Sequence, residues 1–140
     1  SMNTINTVNN KLKKKNLIKK KKKKYIVKIF ENIESKEFIR EKRIFNLKQL
    51  YDSGLVDYLS RSFDSPQAVV VIGSYSRGED IEKSDVDIVI VTGIKKIPDV
   101  TKYERLLNRS LHIMPLDYDE VSDEFHSNMI NGVVLEGYIR

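Results

Sequence analysis

The sequence contains no cysteine. That excludes disulfide scaffolds, thiolate metal sites and cysteine nucleophiles. Histidine is scarce, with only His112 and His126, so a multi-histidine zinc site is not expected. Long apolar runs are missing too. The longest, residues 68–73 and 88–92, fall far short of the roughly 18–20 residues a membrane span needs. The lysine-rich start is not followed by the unbroken apolar stretch of a signal peptide. The expectation is a soluble, cytoplasmic protein with no membrane segment. Its 140 residues fit one domain and not comfortably two.

Acidic residues are absent from residues 1–24, which carry ten lysines, at 11, 13–15 and 19–24. The formal net charge of +5 therefore divides unevenly. Residues 25–140 hold fifteen basic and twenty acidic side chains, a net of −5. The basic isoelectric point belongs to an arm, and the body is mildly acidic. Dense like charge and little apolar surface make residues 1–24 a basic disordered arm in expectation. Two readings stand: a solvated tail, or nonspecific attraction of nucleic acid through the lysines from Lys11 to Lys24.

Residues 25–37 read as a linker and the start of a helix. Ile44, Leu47, Leu50, Tyr51 and Leu55 then recur at helical spacing as a core stripe. Gly54 punctuates the helix, and Asp64-Ser65-Pro66 stops it. Residues 68–72 form a β-branched run that reads as a buried strand. A tight turn and short helix follow over residues 74–80, then a second strand through Val86, Ile88 and Ile90. Residues 95–100 read as a loop, 101–108 as a helix, and 110–114 as a third strand ended by Pro115. Residues 118–135 read as mostly helical. This order predicts an α/β (α+β) domain over residues 38–140, a small mixed sheet with helices packed on one side.

Two carboxylates stand out within this frame. Side chains alternate along a strand, so Asp85 and Asp87 share one face while Val86 and Ile88 face the core. Paired carboxylates repel, and a divalent cation between them reverses that interaction. Mg²⁺ suits such a pair, because it takes oxygen ligands from one or two carboxylates and from substrate phosphates. One strand earlier, Gly73-Ser74 opens a turn into the short helix. Glycine leaves room for a phosphate to approach the backbone, and Ser74 adds a hydroxyl.

Gly73-Ser74, ten intervening residues and Asp85-Val86-Asp87 resemble the signature of the polymerase-beta-type nucleotidyltransferase superfamily. Gly73-Ser74-Tyr75-Ser76-Arg77-Gly78-Glu79 and Ser84-Asp85-Val86-Asp87-Ile88 are similar to motifs of its small prokaryotic members. Leu50–Leu59 and Asn131–Tyr138 resemble a subgroup usually fused to a winged helix-turn-helix, a module for which residues 1–37 offer no counterpart.

The resemblance implies a polymerase-beta-like nucleotidyltransferase fold with two Mg²⁺ ions on the catalytic pair Asp85 and Asp87. It further implies a nucleoside triphosphate, ATP by default, held by Gly73 and Ser74. Arg77 either neutralises phosphate charge or makes a local salt bridge. A nucleotidyl group would pass to a hydroxyl acceptor with release of pyrophosphate. The acceptor is either a protein or a site shared in a homodimer.

Family members carry a third carboxylate on the following strand. Here that strand offers Ser110 and His112 instead, with Glu104, Asp117 and Asp119 nearby in sequence. His112 is either a general base or a structural residue. The alternatives to an enzyme are a catalytically weakened nucleotide-binding regulator and an antitoxin-like partner of a HEPN-type protein.

Overall fold

The computed structural model describes residues 24–140 together with Thr7, Asn10 and Lys11, with side chains from Ser35 onward. The expected basic arm lies mostly outside the described residues. Helix α1 (Lys24–Asp52) runs unbroken across the expected linker. Gly54, in the left-handed region at φ 83°, turns the chain into α2 (Leu55–Ser62). The amide of Ser65 reaches back to the carbonyl of Ser60 at 2.8 Å, and Pro66 follows, which ends α2.

The strands are β1 (Ala68–Ile72), β2 (Val86–Val91), β3 (Leu111–Leu116) and β4 (Val133–Gly137), in the order β3-β2-β1-β4. Strand β1 is antiparallel to both β2 and β4, whereas β2 and β3 are parallel. That parallel pair requires a crossover, which α4 (Thr101–Leu107) supplies. The short helix α3 (Gly73–Arg77) links β1 to β2, and α5 (Asp123–Ile130) precedes β4.

All five residues of β1 are buried, as a central strand covered on both faces requires. Val69 and Val71 join Leu50, Leu55, Leu59 and Ile88 in the larger core, beneath α1–α4. Ala68, Val70 and Ile72 join Val89 and Met129 in a smaller core, beneath α5. The helices thus lie mainly on one side, with α5 as a thinner layer on the other.

Three local expectations need correction. Leu50 and Leu55 are fully buried, but Ile44 is 67% exposed. Tyr51 sits at the rim, its hydroxyl donating to the carbonyl of Leu135 at 2.7 Å. The buried face of α1 instead includes Lys42, Phe45, Asn46 and Leu50, because the helix packs on the polar turn after β1 as well as on the sheet.

Strand β3 does not stop at Pro115 but runs through it to Leu116. The carbonyls of Ser110 and Leu116 accept from the amides of Val86 and Thr92 at 2.9 Å each. Even-numbered positions of β3 therefore bond to β2, and Pro115 directs its missing N–H to the free edge.

Residues 118–135 are not one helical segment. A 3₁₀ turn (Tyr118–Glu120), α5 and β4 divide them, and Val133 and Val134 pair with Val71 and Val70. Among the described residues no helix is long and apolar enough to cross a membrane.

Candidate functional site

The site is built where β1 ends and β2 begins. Gly73 takes φ 76°, a left-handed conformation that side chains resist. It starts α3, a single turn of five residues, too short for much helix dipole. What the turn offers an anion is its own backbone amides and the Ser74 hydroxyl. Ser76, itself buried, donates its hydroxyl to the carbonyl of Gly73 at 2.7 Å and fixes the turn. Gly78, at φ 72°, closes α3.

The expected alternation in β2 is present. Val86 and Ile88 are fully buried in the larger core. Asp87 points to the opposite face and is partly exposed, and Asp85, immediately before the strand, is exposed. Asp87 pairs in register with Ile72 on one side and with His112 on the other. A Cβ built on Gly73 would stand 3.0 Å from Oδ2 of Asp87, so the turn and the carboxylate are neighbours. Nδ1 of His112 lies 3.4 Å from Oδ1 of Asp87, with the two side chains 63% and 36% exposed. Among the described residues neither Asp85 nor Asp87 has its carboxylate engaged in a hydrogen bond.

Gly73, Asp87 and His112 therefore converge. Ser74 and Asp85 adjoin them in the chain. Arg77 does not: its guanidinium pairs with Glu79 at 3.1 Å on the surface. Glu104 is committed elsewhere, its Oε2 accepting from the amide of Leu111 at 2.9 Å. Asp117 and Asp119 line a cavity of about 640 Å³ with Val91 and Thr92, at the other end of β2. A second cavity, of about 610 Å³, opens beside Ser84, Arg105 and Ser110, close to Asp85 in the chain.

Sequence reasoning missed the buried polar cluster behind the turn. Asp80 is almost fully buried. Its Oδ1 accepts from Nδ2 of Asn46 at 2.8 Å and faces Nζ of Lys42 at 3.3 Å, and its Oδ2 faces Arg109 at 2.8 Å. The Arg109 contact is ionic without hydrogen-bond alignment, which leaves Oδ2 formally unpaired. Lys42 also donates to the carbonyl of Asp80, and Asn46 donates to the carbonyl of Tyr75 at 3.0 Å. Arg109 further lies 5.6 Å from the Tyr75 ring centre and donates to the carbonyl of Ile81 at 2.5 Å.

Burial pushes the Tyr75 hydroxyl far above its ordinary range; the Arg109 charge pulls back, and Asp80 pushes the same way as burial. The cluster ties α1, the turn and the entrance of β3 together. Its one local signal was the pair of polar residues, four apart, within the apolar face of α1.

The cation test is one of donor chemistry. Asp85 and Asp87 offer hard oxygen donors with no hydrogen-bond partner among the described residues, and only His112 faces Asp87, at 3.4 Å. Among the described residues no three His, Asp or Glu side chains are grouped to hold a metal unaided. This fits Mg²⁺, which takes one or two carboxylates and completes its shell with phosphates and water.

The family model for the nucleotidyltransferase domain matches residues 53–128, more than half of the chain and all of the motif from Gly73 to Asp87. The chain belongs to that family. It is one of the polymerase-beta-type nucleotidyltransferases, and the domain is one of nucleotidyl transfer. Among solved structures, it is similar to a "putative nucleotidyltransferase" from Sulfolobus solfataricus. The two are 25% identical with a TM-score of 0.42, over 69% of this chain and 84% of that one. No curated protein matches the sequence.

Proposed function

We propose that this nucleotidyltransferase binds ATP with Mg²⁺ and transfers its nucleotidyl group to a hydroxyl of a protein acceptor. The observation that carries the reading is the juxtaposition of Gly73 and Asp87. A carboxylate without a hydrogen-bond partner stands against Gly73, where the opening of the turn lacks a Cβ. In this reading Asp85 and Asp87 hold the cation. Gly73 admits a phosphate to the turn amides, and Ser74 donates its hydroxyl to a phosphate oxygen. The acceptor oxygen forms a bond to the α-phosphorus as the bond to the pyrophosphate oxygen breaks. Pyrophosphate leaves, and the hydroxyl proton passes to water. Mg²⁺, when bound, supplies positive charge against the phosphate oxygens.

The test is calorimetric titration of a non-hydrolysable ATP analogue, with and without Mg²⁺, into the wild type and the Asp85→Asn, Asp87→Asn double variant. Binding that needs Mg²⁺ and is lost in the variant supports the site. No binding to the wild type overturns it. Pyrophosphate release on adding ATP and candidate acceptors then separates transferase from binder.

A second reading has its own observation. The strand on which family members carry a third acid presents His112 beside Asp87 instead, and no three-ligand group exists among the described residues. A regulator that binds nucleotide without turnover would bind the analogue and release no pyrophosphate, whereas an antitoxin-like partner of a HEPN-type protein would silence that protein by binding or by nucleotidylating it. The lysines from Lys11 to Lys24 add nonspecific attraction to nucleic acid. That attraction falls steeply with salt and is lost on deleting residues 1–24.

A further inference from the structure

We propose that Arg109 is a positioning residue for nucleotide binding, one that fixes where Asp85 stands relative to the Gly73-Ser74 turn. The inference rests on the reading of Asp85 and Asp87 as the cation-binding pair. Asp85 lies just before β2, is exposed, and makes no side-chain hydrogen bond among the described residues. Its carboxylate is therefore aimed by the backbone on either side of it. Two consecutive residues at the entrance of β3 hold that backbone. Arg109 donates to the carbonyl of Ser84 at 3.5 Å, and the carbonyl of Ser110 accepts from the amide of Val86 at 2.9 Å.

The firmer grip of Arg109 is on Ile81, whose carbonyl accepts from the same Nη1 at 2.5 Å. Ile81 and Ser84 close a turn on each other. The Ser84 amide donates to the Ile81 carbonyl and the Ile81 amide to the Ser84 hydroxyl, each at 2.9 Å. Holding Ile81 thus holds Ser84 and the residue after it. The guanidinium also reaches the phosphate side of the site. It lies 2.8 Å from Oδ2 of Asp80 and 5.6 Å from the ring centre of Tyr75. Tyr75 belongs to α3, and Asn46 ties its carbonyl to Asp80. Only 7% of the Arg109 side chain is exposed, so water competes little for these contacts. A lysine would keep the charge against Asp80, but neither the planar group over Tyr75 nor the fixed aim of Nη1.

The experiment uses the full chain and a non-hydrolysable ATP analogue, with the wild type, Arg109→Lys and Ser84→Ala. Calorimetry over a range of Mg²⁺ concentrations gives the concentration for half-maximal binding, and thermal melting follows stability. Arg109→Lys should need about tenfold more Mg²⁺ or greater, the scale for losing a group that orients a metal-binding residue. Its affinity for the analogue should return close to the wild type once Mg²⁺ saturates. A merely structural role would lower the melting temperature and leave the Mg²⁺ requirement of the folded protein unchanged. Ser84→Ala opens the same turn without disturbing the buried charges, and should raise the requirement while melting near the wild type. With nucleotide and metal both left out, hydrogen exchange at the amides of Ser84 and Val86 should be faster in both variants.

An unchanged Mg²⁺ requirement in Arg109→Lys, or in Ser84→Ala should the lysine variant not fold, overturns the positioning role and leaves the nucleotide site standing. Wild-type binding that is absent or indifferent to Mg²⁺ overturns both.

Discussion

Gly73 and Asp87 touch across two antiparallel strands: an added Cβ at Gly73 would lie 3.0 Å from the Asp87 carboxylate oxygen. The register Ile72↔Asp87 brings the end of one strand to the acid of the next. The site thus depends on a missing methyl group as much as on any side chain present.

Gly73→Ala is expected to cost about 1–2 kcal/mol of stability, because alanine resists the left-handed backbone. Its larger effect falls on binding, since the methyl group displaces the Asp87 carboxylate. Affinity for the ATP analogue with Mg²⁺ should drop about tenfold or more, a change of roughly 1.4 kcal/mol. Calorimetry and thermal melting of the same preparation separate the two effects, and unchanged affinity would refute the contact's role.

Removing the Asp80 carboxylate leaves Lys42 and Arg109 buried without their counter-charge. Asp80→Ala should lose about 3–5 kcal/mol in urea unfolding, the scale for breaking a buried ion pair. Asp80→Asn keeps the shape and an acceptor for Asn46, so it should lose less. Equal stability of Asp80→Ala and the wild type would mean the cluster is energetically idle.

Gly78 and Gly93 make a matched pair. A Cβ at Gly78 would lie 2.4 Å from the carbonyl oxygen of Ile39 and 2.8 Å from the amide nitrogen of Arg43, both rigid helix backbone. Gly78→Ala should cost about 2–5 kcal/mol, from the left-handed backbone and the overpacking together. Gly93 has nothing within 4 Å of its would-be Cβ. Gly93→Ala should stay within about 0.5 kcal/mol of the wild type, and parity of the two variants would contradict the packing of α1 on the turn.

Tyr75 titrates near 10.0 when unfolded and well above that in the fold. Raising the pH past 10 therefore ionises the unfolded chain before the native one. The stability this group contributes is intact below that pH and lost as pH rises further, by up to about 1.4 kcal/mol per pH unit. Tyr75→Phe should flatten that alkaline decline while changing stability at neutral pH little. Identical pH profiles for the two proteins would exclude Tyr75 as the source.

Much of the site was legible from local pattern. The alternation of Asp85 and Asp87 with Val86 and Ile88 puts acids and core residues on opposite faces whatever the rest of the chain does. The β-branched run of β1 and the glycine that follows it set a buried strand with a sharp exit. These features depend only on neighbours in the chain.

Tertiary structure decided the rest, for one reason: each missed feature is a pairing between distant residues. Strand β4 exists because β1 offers it an open edge, and its residues carry no stronger local signal than a helix end. Pro115 is tolerated in β3 because its lost donor falls on the outer edge of the sheet. Asp80 is held by Asn46 and Lys42, 34 and 38 residues away, a burial that no periodicity in either segment foretells. His112 faces Asp87 through the parallel register of β2 and β3, which the crossover through α4 sets. Local sterics wrote the strands and the turn, and chain closure chose which side chains meet.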